Sequence, residues 1–565
     1  MKFPDLSYPP NAIYFLVEGN SQWLVAQVKT KEGDFWEGHG VQLEMSAASH
    51  GGRDIQVTAS VRLREVALRW ESTLTMGTLI LGDAWERSYG ELEWRGWSPH
   101  RVMPWYFLAS SNGLTAGYGV QTGGGSLAFW EVDADGITLR LDVRSGGIGV
   151  ALKSRQLLAA TLRQRLPHPG ETPYEAAHAF CRSLCPKALM PTEPVVGHND
   201  WYWLYGKNSE KLILEATRRF LDLYPADLPV RPWSIIDDGW QAATVASGPT
   251  CNGGPWDRGN PAFPDMPGLA RKIKSLGARP GIWMRPLLSN VEVPHAWKLQ
   301  RPGVPTAAFV LDPTVPEVQE RIYTDISRLR DWGYEMIKHD FSTFDLSGRW
   351  GPEMNQTRSF TSDGWTFADS SLTTAEVLLS LYRNIRKAAG PSLLIGCNVV
   401  GHLAAGLIEI QRIGDDTSAT DWDRTRRMGV NTLAFRSVQH GAFFAADADC
   451  VPISPHIRSN LTKAWLNLIS GSGTPLFLSI DPTALNESVT ADIRGALRRA
   501  AQKMSVAEPI DWFDTGVPAH WRLQGNTKTT HFGWSEWSPE KTIVPAADNG
   551  GTADIFPRER LQASV

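Results

Sequence analysis

A chain of 565 residues, 42% of them hydrophobic, holds enough material for two or three domains, one of them as large as a full α/β barrel. A formal net charge of −4, with 21% charged residues, gives no pull toward a polyanion, so nucleic acid is not an expected partner. Five cysteines (181, 185, 251, 397, 450) are too few and too irregular for a disulfide framework, and no run of about 18 apolar residues or leader-like N-terminus occurs.

The expectation is therefore a cytoplasmic protein that spans no membrane. From about residue 5 to 165 short strand-like runs alternate with turns, as in Ile55–Leu63 (IQVTASVRL), Thr78–Leu81 (TLIL) and Ile137–Val143 (ITLRLDV). This pattern predicts an antiparallel β-sandwich. The triplet Gly123, Gly124, Gly125 lacks the helix that a phosphate-binding loop needs, and reads as a turn. Residues 172–190 (TPYEAAHAFCRSLCPKALM) predict a linking helix.

Beyond residue 190 the rhythm changes to short apolar strands alternating with amphipathic stretches such as Glu210–Leu223 and Pro316–Trp332, the pattern of parallel βαβ units. Eight strands are predicted: Val195–Trp201, Trp233–Asp237, Arg279–Met284, Met336–Asp340, Leu393–Asn398, Leu407–Arg412, Ala442–Asp447 and Pro475–Ile480. About 290 residues is a usual size for a (β/α)8 barrel. From about residue 484 a helix (VTADIRGALRRAAQKM) precedes the aromatic, alternating runs HWRLQ and TTHFGWSEW, which predict a small C-terminal β-domain. The expected fold is thus α/β: a (β/α)8 TIM barrel over residues 191–484, an N-terminal antiparallel β-sandwich with its linking helix over 1–190, and a C-terminal β-domain over 485–565.

Barrel enzymes carry their chemistry at the C-terminal ends of strands, and here those ends are rich in carboxylates and bases. The second strand ends in Asp237, Asp238 and Gly239, adjacent acids suited to accept hydrogen bonds from sugar hydroxyls. The fourth ends in Lys338, His339 and Asp340. Alternation puts Lys338 and Asp340 on one face, where the cation is expected to favour an ionised, nucleophilic Asp340. His339 points the other way and is expected to be packed and hydrogen-bonded. Arg412, Gly414, Asp415 and Asp416 follow the sixth strand, bringing a second carboxylate across the mouth from Asp340. Double displacement at an anomeric carbon needs such a pair, one acid attacking while the other protonates the leaving oxygen. Spacing leaves open whether Asp415 or Asp416 takes the second role.

Twenty-four tryptophans offer flat platforms for sugar rings, and Trp201, Tyr202, Trp203, Trp240 and Trp283 stand at strand ends, some of them as core. Metal chemistry finds no HExxH or paired CxxC. Asp447 and Asp449 read as a pocket wall in preference to a cation site. No Gly-x-Ser-x-Gly elbow is present for a serine esterase.

Six motifs in order, NDWYWLYG, IIDDGW, NPAFPDMPGLARKIKSLGARPGIWMRP, IKHDF, IGCN and RIGDDT, span roughly residues 195–485. Together they resemble glycoside hydrolase family 36, the bacterial α-galactosidases. The resemblance implies that Asp340 is the nucleophile and that Asp416, not Asp415, is the general acid/base, with Arg412 beside it. It further implies that Asp237 and Asp238 grip the 4- and 6-hydroxyls of an α-galactosyl ring. Lys338, Trp201, Tyr202, Trp283 and Cys397 would form the rest of the pocket. Retention without a metal or organic cofactor follows, with a glycoside or oligosaccharide as partner and a homo-oligomer as one assembly such enzymes adopt. Two features depart from the family pattern: the sandwich is short, and the nucleophile is followed by FSTFDLSGRWGPEM, opening an insertion that runs to about residue 370. A transglycosylase would share the covalent intermediate. A non-catalytic carbohydrate-binding protein is disfavoured, because Asp340, Asp416, Lys338 and Arg412 are all present.

Overall fold

The computed structural model describes residues 4–29, 34–49, 51–75, 77–153, 155–242, 252–304, 308–503, 506–523 and 528–535. The first 165 residues build two antiparallel sheets, of six and nine strands. Alternation places Val41, Leu43 and Met45 of strand Val41–Ala47 inward. Trp70, Phe107, Tyr118 and Trp130 fill the space inside, with Phe107 stacked on Tyr118 at 4.9 Å. The run Ile55–Leu63, expected as one strand, is two. Arg53–Ala59 belongs to the nine-stranded sheet and Leu63–Glu71 to the six-stranded sheet. Val61 is 38% exposed in the turn between them, an outward apolar residue that kept the sequence pattern unbroken. Gly123 adopts φ +86° in a turn, as expected.

The linking helix runs Pro173–Leu184, opened by a capping box in which Thr172 and Glu175 satisfy each other's backbone N–H groups. Eight barrel strands follow: β1 Val196–Asn199, β2 Trp233–Ile236, β3 Arg279–Met284, β4 Met336–His339, β5 Leu393–Gly396, β6 Ile410–Arg412, β7 Ala445–Asp447 and β8 Leu476–Ile480. All pairings among them are parallel. The ring closes in an unusual way. β7 pairs with β6, while the chain just beyond it, Val451–Ile453, pairs with β8, so two short pieces share the seventh place. Between them Asp449 takes a left-handed φ of 74°.

Helices Glu210–Leu223, Met266–Leu276, Pro316–Asp331 and Thr374–Ala389 lie after β1, β2, β3 and β4. After β5 there is only Gly401–Ala404. The sandwich packs there instead: Trp105 sits 5.7 Å from His402 and 4.7 Å from Phe443, and one hydrophobic cluster runs from the sandwich into this side of the barrel. Helix Glu487–Ala500 follows β8 and lies against Ser459–Gly471, with Lys463 and Asp492 paired at 2.8 Å. A three-stranded antiparallel sheet, Glu508–Pro509, His520–Arg522 and Thr529–His531, comes last. It is tied to the barrel where the Trp422 indole N–H donates to the Trp534 carbonyl at 2.8 Å. The expected C-terminal β-structure beyond residue 535 lies outside the described residues, as does Cys251. The other four cysteines are buried free thiols.

Candidate active site

Asp340 directly follows β4 and is 8% exposed. Its carboxylate accepts the Phe341 backbone N–H at 2.7 Å and the Trp283 indole N–H at 3.3 Å, so two donors fix its orientation. Phe341 turns left-handed at φ 62°, which takes the chain sharply out of the strand into helix Ser342–Ser347. The Lys338 ammonium donates to Asp237 at 2.7 Å, on a strand two places round the ring, and the Asp340 charge acts on it as well. Burial works against that charge, yet the Asp237 carboxylate overrides it and holds the Lys338 pKa well above its usual range. A buried ammonium needs a partner of opposite charge, and the long lysyl stem reaches one across the barrel.

Asp237 is closely held. It also accepts from Asn199 at 2.6 Å and from the Asp238 backbone N–H at 2.9 Å. Asp238 accepts from Gln241 at 2.7 Å and retains partial exposure to the mouth; burial and then the Asp237 charge push its pKa up to about 6. Gly239 has φ 114°, and a Cβ there would meet the Gly206 carbonyl oxygen at 2.5 Å. Behind the pair lies Asp200, overlooked in the sequence although it stands in NDWYWLYG. It accepts the Asp237 backbone N–H at 2.7 Å and Asn208 at 2.8 Å, and burial followed by the Asp237 charge raises its pKa to about 7.

At the β6 end Asp415 and Asp416 have different surroundings. The Asp415 side chain is 2% exposed and lies between Arg87 at 3.2 Å and Arg424 at 2.6 Å. The Asp416 side chain is 20% exposed and carries Arg412 at 3.3 Å and Arg87 at 3.4 Å. Arg412 also meets Asp449 at 3.0 Å and the Cys397 thiol at 3.7 Å. Cys397 is buried between the two candidate acids. Burial and then the Asp340 charge push its thiol up, against Lys338, Arg412 and Arg87, so it stays neutral. Asp449 accepts from the Thr417 backbone N–H at 2.8 Å, the Thr417 hydroxyl at 3.0 Å and the Tyr202 hydroxyl. It anchors the loop that carries Asp416. Burial first, with Asp449 adding and Arg412 opposing, raises Asp447 to about 6.

Arg87 was not visible in the sequence as a site residue. It arrives from the sandwich on a loop that joins the barrel through a single parallel bridge, Ser88 pairing with Gly414. The Ser88 backbone N–H donates to the Ile413 carbonyl, and the Asp415 N–H to the Ser88 carbonyl, each at 2.9 Å. Gly414 is required by close approach, since a Cβ there would lie 2.2 Å from the Met428 carbonyl oxygen. Glu86 beside it accepts from Arg87, Tyr89, Asn398 and the Gly351 backbone N–H. The only sequence signal is a dense run of charge and aromatics, DAWERSYGELEW, in an otherwise strand-like region.

Three aromatic expectations change. Trp240, expected as a wall, is wholly buried, its N–H on the Trp283 carbonyl at 2.8 Å. Trp203 faces outward beneath Arg219, 5.2 Å from its ring. Tyr202 is buried with its hydroxyl on Asp449, which makes it a support behind the wall. Trp201 keeps partial exposure at the mouth. His339 is fully buried as expected, but neither ring nitrogen has a hydrogen-bond partner among the described residues; burial lowers its pKa to about 4. Among the described residues no group of three or more His, Cys, Asp or Glu side chains is placed to hold a metal ion. Nor is any described helix long and apolar enough to cross a membrane.

The sequence matches no protein-family model and no curated protein. The fold does have counterparts among solved structures. The α-galactosidase TtGalA from Thermus thermophilus, solved in complex with p-nitrophenyl α-D-galactopyranoside, superposes with a TM-score of 0.57 at 16% identity, over 92% of this chain and 98% of that one. The GH36 α-galactosidase AgaB from Geobacillus stearothermophilus gives 0.55 at 16% identity, over 86% and 74%. A variant of AgaA from the same organism, solved with raffinose, gives 0.55 at 16%, over 88% and 77%. The chain has the fold of these GH36 α-galactosidases: a TIM barrel with accompanying β-domains.

Proposed function

We propose that this protein is a retaining exo-α-glycosidase that hydrolyses terminal α-galactosides or closely related α-linked sugars. The observation that carries the reading is the pairing of two differently prepared carboxylates at one barrel mouth. Asp340 is held by two N–H donors, and Asp416 stands partly exposed against two guanidinium groups. In this reading Asp340 attacks the anomeric carbon as the leaving oxygen takes a proton from Asp416. Asp416 then draws a proton from water, whose oxygen displaces Asp340 with net retention. Asp238, with carboxylate capacity left toward the mouth, receives sugar hydroxyls. Asp237 is mainly the keystone that orients Asp238 and Lys338. Trp201 forms the open wall, buried Trp283 backs Asp340 through its indole N–H, and Cys397 fills the floor beside Arg412. The shared fold with α-galactosidases supports the choice of sugar.

The test is release of nitrophenol from a panel of nitrophenyl α- and β-glycosides by the protein and its Asp340→Ala variant. Release from the α-galactoside or a close α-epimer, lost by at least about a thousandfold in the variant, is expected. Release from β-glycosides alone, or an active variant, would contradict the assignment.

A further inference from the structure

Tyr205 belongs neither to the core nor to the pocket described above. It follows the short helix Trp201–Leu204 and is 45% exposed, with φ 46° and ψ 49°. A left-handed backbone is costly for an aromatic residue and persists only where the surroundings impose it. Here they do so from three sides. The ring meets Trp201 edge-on at 5.7 Å and Tyr202 at 6.0 Å, and the hydroxyl accepts the Ala419 backbone N–H at 3.3 Å. Ala419 lies three residues beyond Asp416 on the same loop. Burial raises the Tyr205 pKa, and the charges of Asp416 and Asp449 add to it, which places the phenol in the field of both carboxylates. The result is an exposed aromatic face, rigidly held at the rim between the β1 and β6 loops, on the flank where Asp416 stands.

We infer that Tyr205 is the stacking platform of an aglycone subsite, receiving the flat apolar face of the leaving group, either an aryl ring or a second sugar. The inference rests on the reading of Asp416 as the acid/base, because the group that protonates the leaving oxygen must have the aglycone on its own side. Stacking of this kind contributes roughly 0.5–1.5 kcal/mol, or about two- to twelvefold in affinity.

The test compares the protein with Tyr205→Ala and Tyr205→Phe on three substrates: nitrophenyl α-galactoside, an α-1,6-linked digalactoside, and α-galactosyl fluoride, whose leaving group has no face to stack. In Tyr205→Ala the KM for the nitrophenyl glycoside is expected to rise about fivefold more than the KM for the fluoride. Tyr205→Phe is expected to recover most of that difference, since it keeps the ring. An equal rise for the digalactoside would show that the platform takes a sugar face, and a rise for the aryl glycoside alone that it takes aryl groups; both support the subsite. Equal KM changes on the fluoride and the faced substrates, or no change on any, would overturn it. If the unmodified protein turns over none of the three, the reading of the site itself fails and the inference falls with it.

Discussion

Asp415 and Asp416 are chain neighbours, yet one is sealed between Arg87 and Arg424 while the other opens to the mouth with Arg87 and Arg412 at its edge. Spacing alone could not separate them; their surroundings differ because the strand end turns over Gly414 and a loop from another domain covers one of them. Arg87 touches both, so Arg87→Met tests the arrangement. Withdrawing a cation from beside Asp416 makes its proton harder to lose, so the basic limb of the kcat profile should move to higher pH while kcat/KM falls roughly tenfold. An unmoved limb would make Arg87 a packing residue only. Asp200 gives a second test, in stability. Its folded pKa of about 7 lies above the ordinary aspartate value, so between about pH 4 and 7 the native state holds more protons than the unfolded chain. Its contribution is therefore intact at low pH and declines as pH rises through that window. In Asp200→Asn, which cannot ionise there, the Tm relative to the parent protein should climb steadily from pH 4.5 to 7.5. Parallel Tm curves would show that Asp200 is not protonated in the folded protein.

At the scale of elements, the decisive piece is the loop over residues 83–89. Asp83 accepts the Trp105 indole N–H at 2.5 Å and pairs with the buried Arg436 at 2.8 Å; Arg436 in turn donates to the Glu86 and Ile413 carbonyls at 2.8 and 2.7 Å. This knot holds the loop against β6. Removing one partner leaves the other charge buried and uncompensated, so Asp83→Ala should cost roughly 3–5 kcal/mol in denaturant unfolding. A loss below about 1 kcal/mol would mean that the loop is held by backbone pairing alone. All eight barrel strands were legible, because short, largely apolar runs with acids and glycines at their ends leave few other readings. The splitting of the seventh place was not, since the break at Asp449 is a left-handed residue without a glycine to mark it. Lys338 was placed on the face of Asp340, but its hydrogen bond to Asp237 was not foreseen, because alternation fixes a direction and says nothing about which acid lies across the ring. Arg87 was invisible for a related reason: it reaches the site through tertiary packing across more than 300 residues of chain.

For the molecule as a whole, one hydrophobic cluster around Trp105 and Phe443 spans the sandwich and part of the barrel, and the sandwich contributes side chains to the barrel mouth. Sandwich and barrel are therefore expected to unfold together. Calorimetry should show one main transition, and two well-separated transitions would contradict this coupling. The fold class could be read from the rhythm of strands and helices, but the dependence of the candidate site on the sandwich could not, because short strands alone do not reveal what they pack against. In the proposed mechanism Asp340 attacks carbon while Asp416 assists. It is tested most directly by intact-mass and peptide-level mass spectrometry of the Asp416→Ala variant after exposure to a dinitrophenyl α-galactoside. That leaving group needs no acid, so the variant should accumulate a covalent adduct of one galactosyl unit on the peptide containing Asp340. Turnover of the same substrate without any adduct, or an adduct on another residue, would contradict the account.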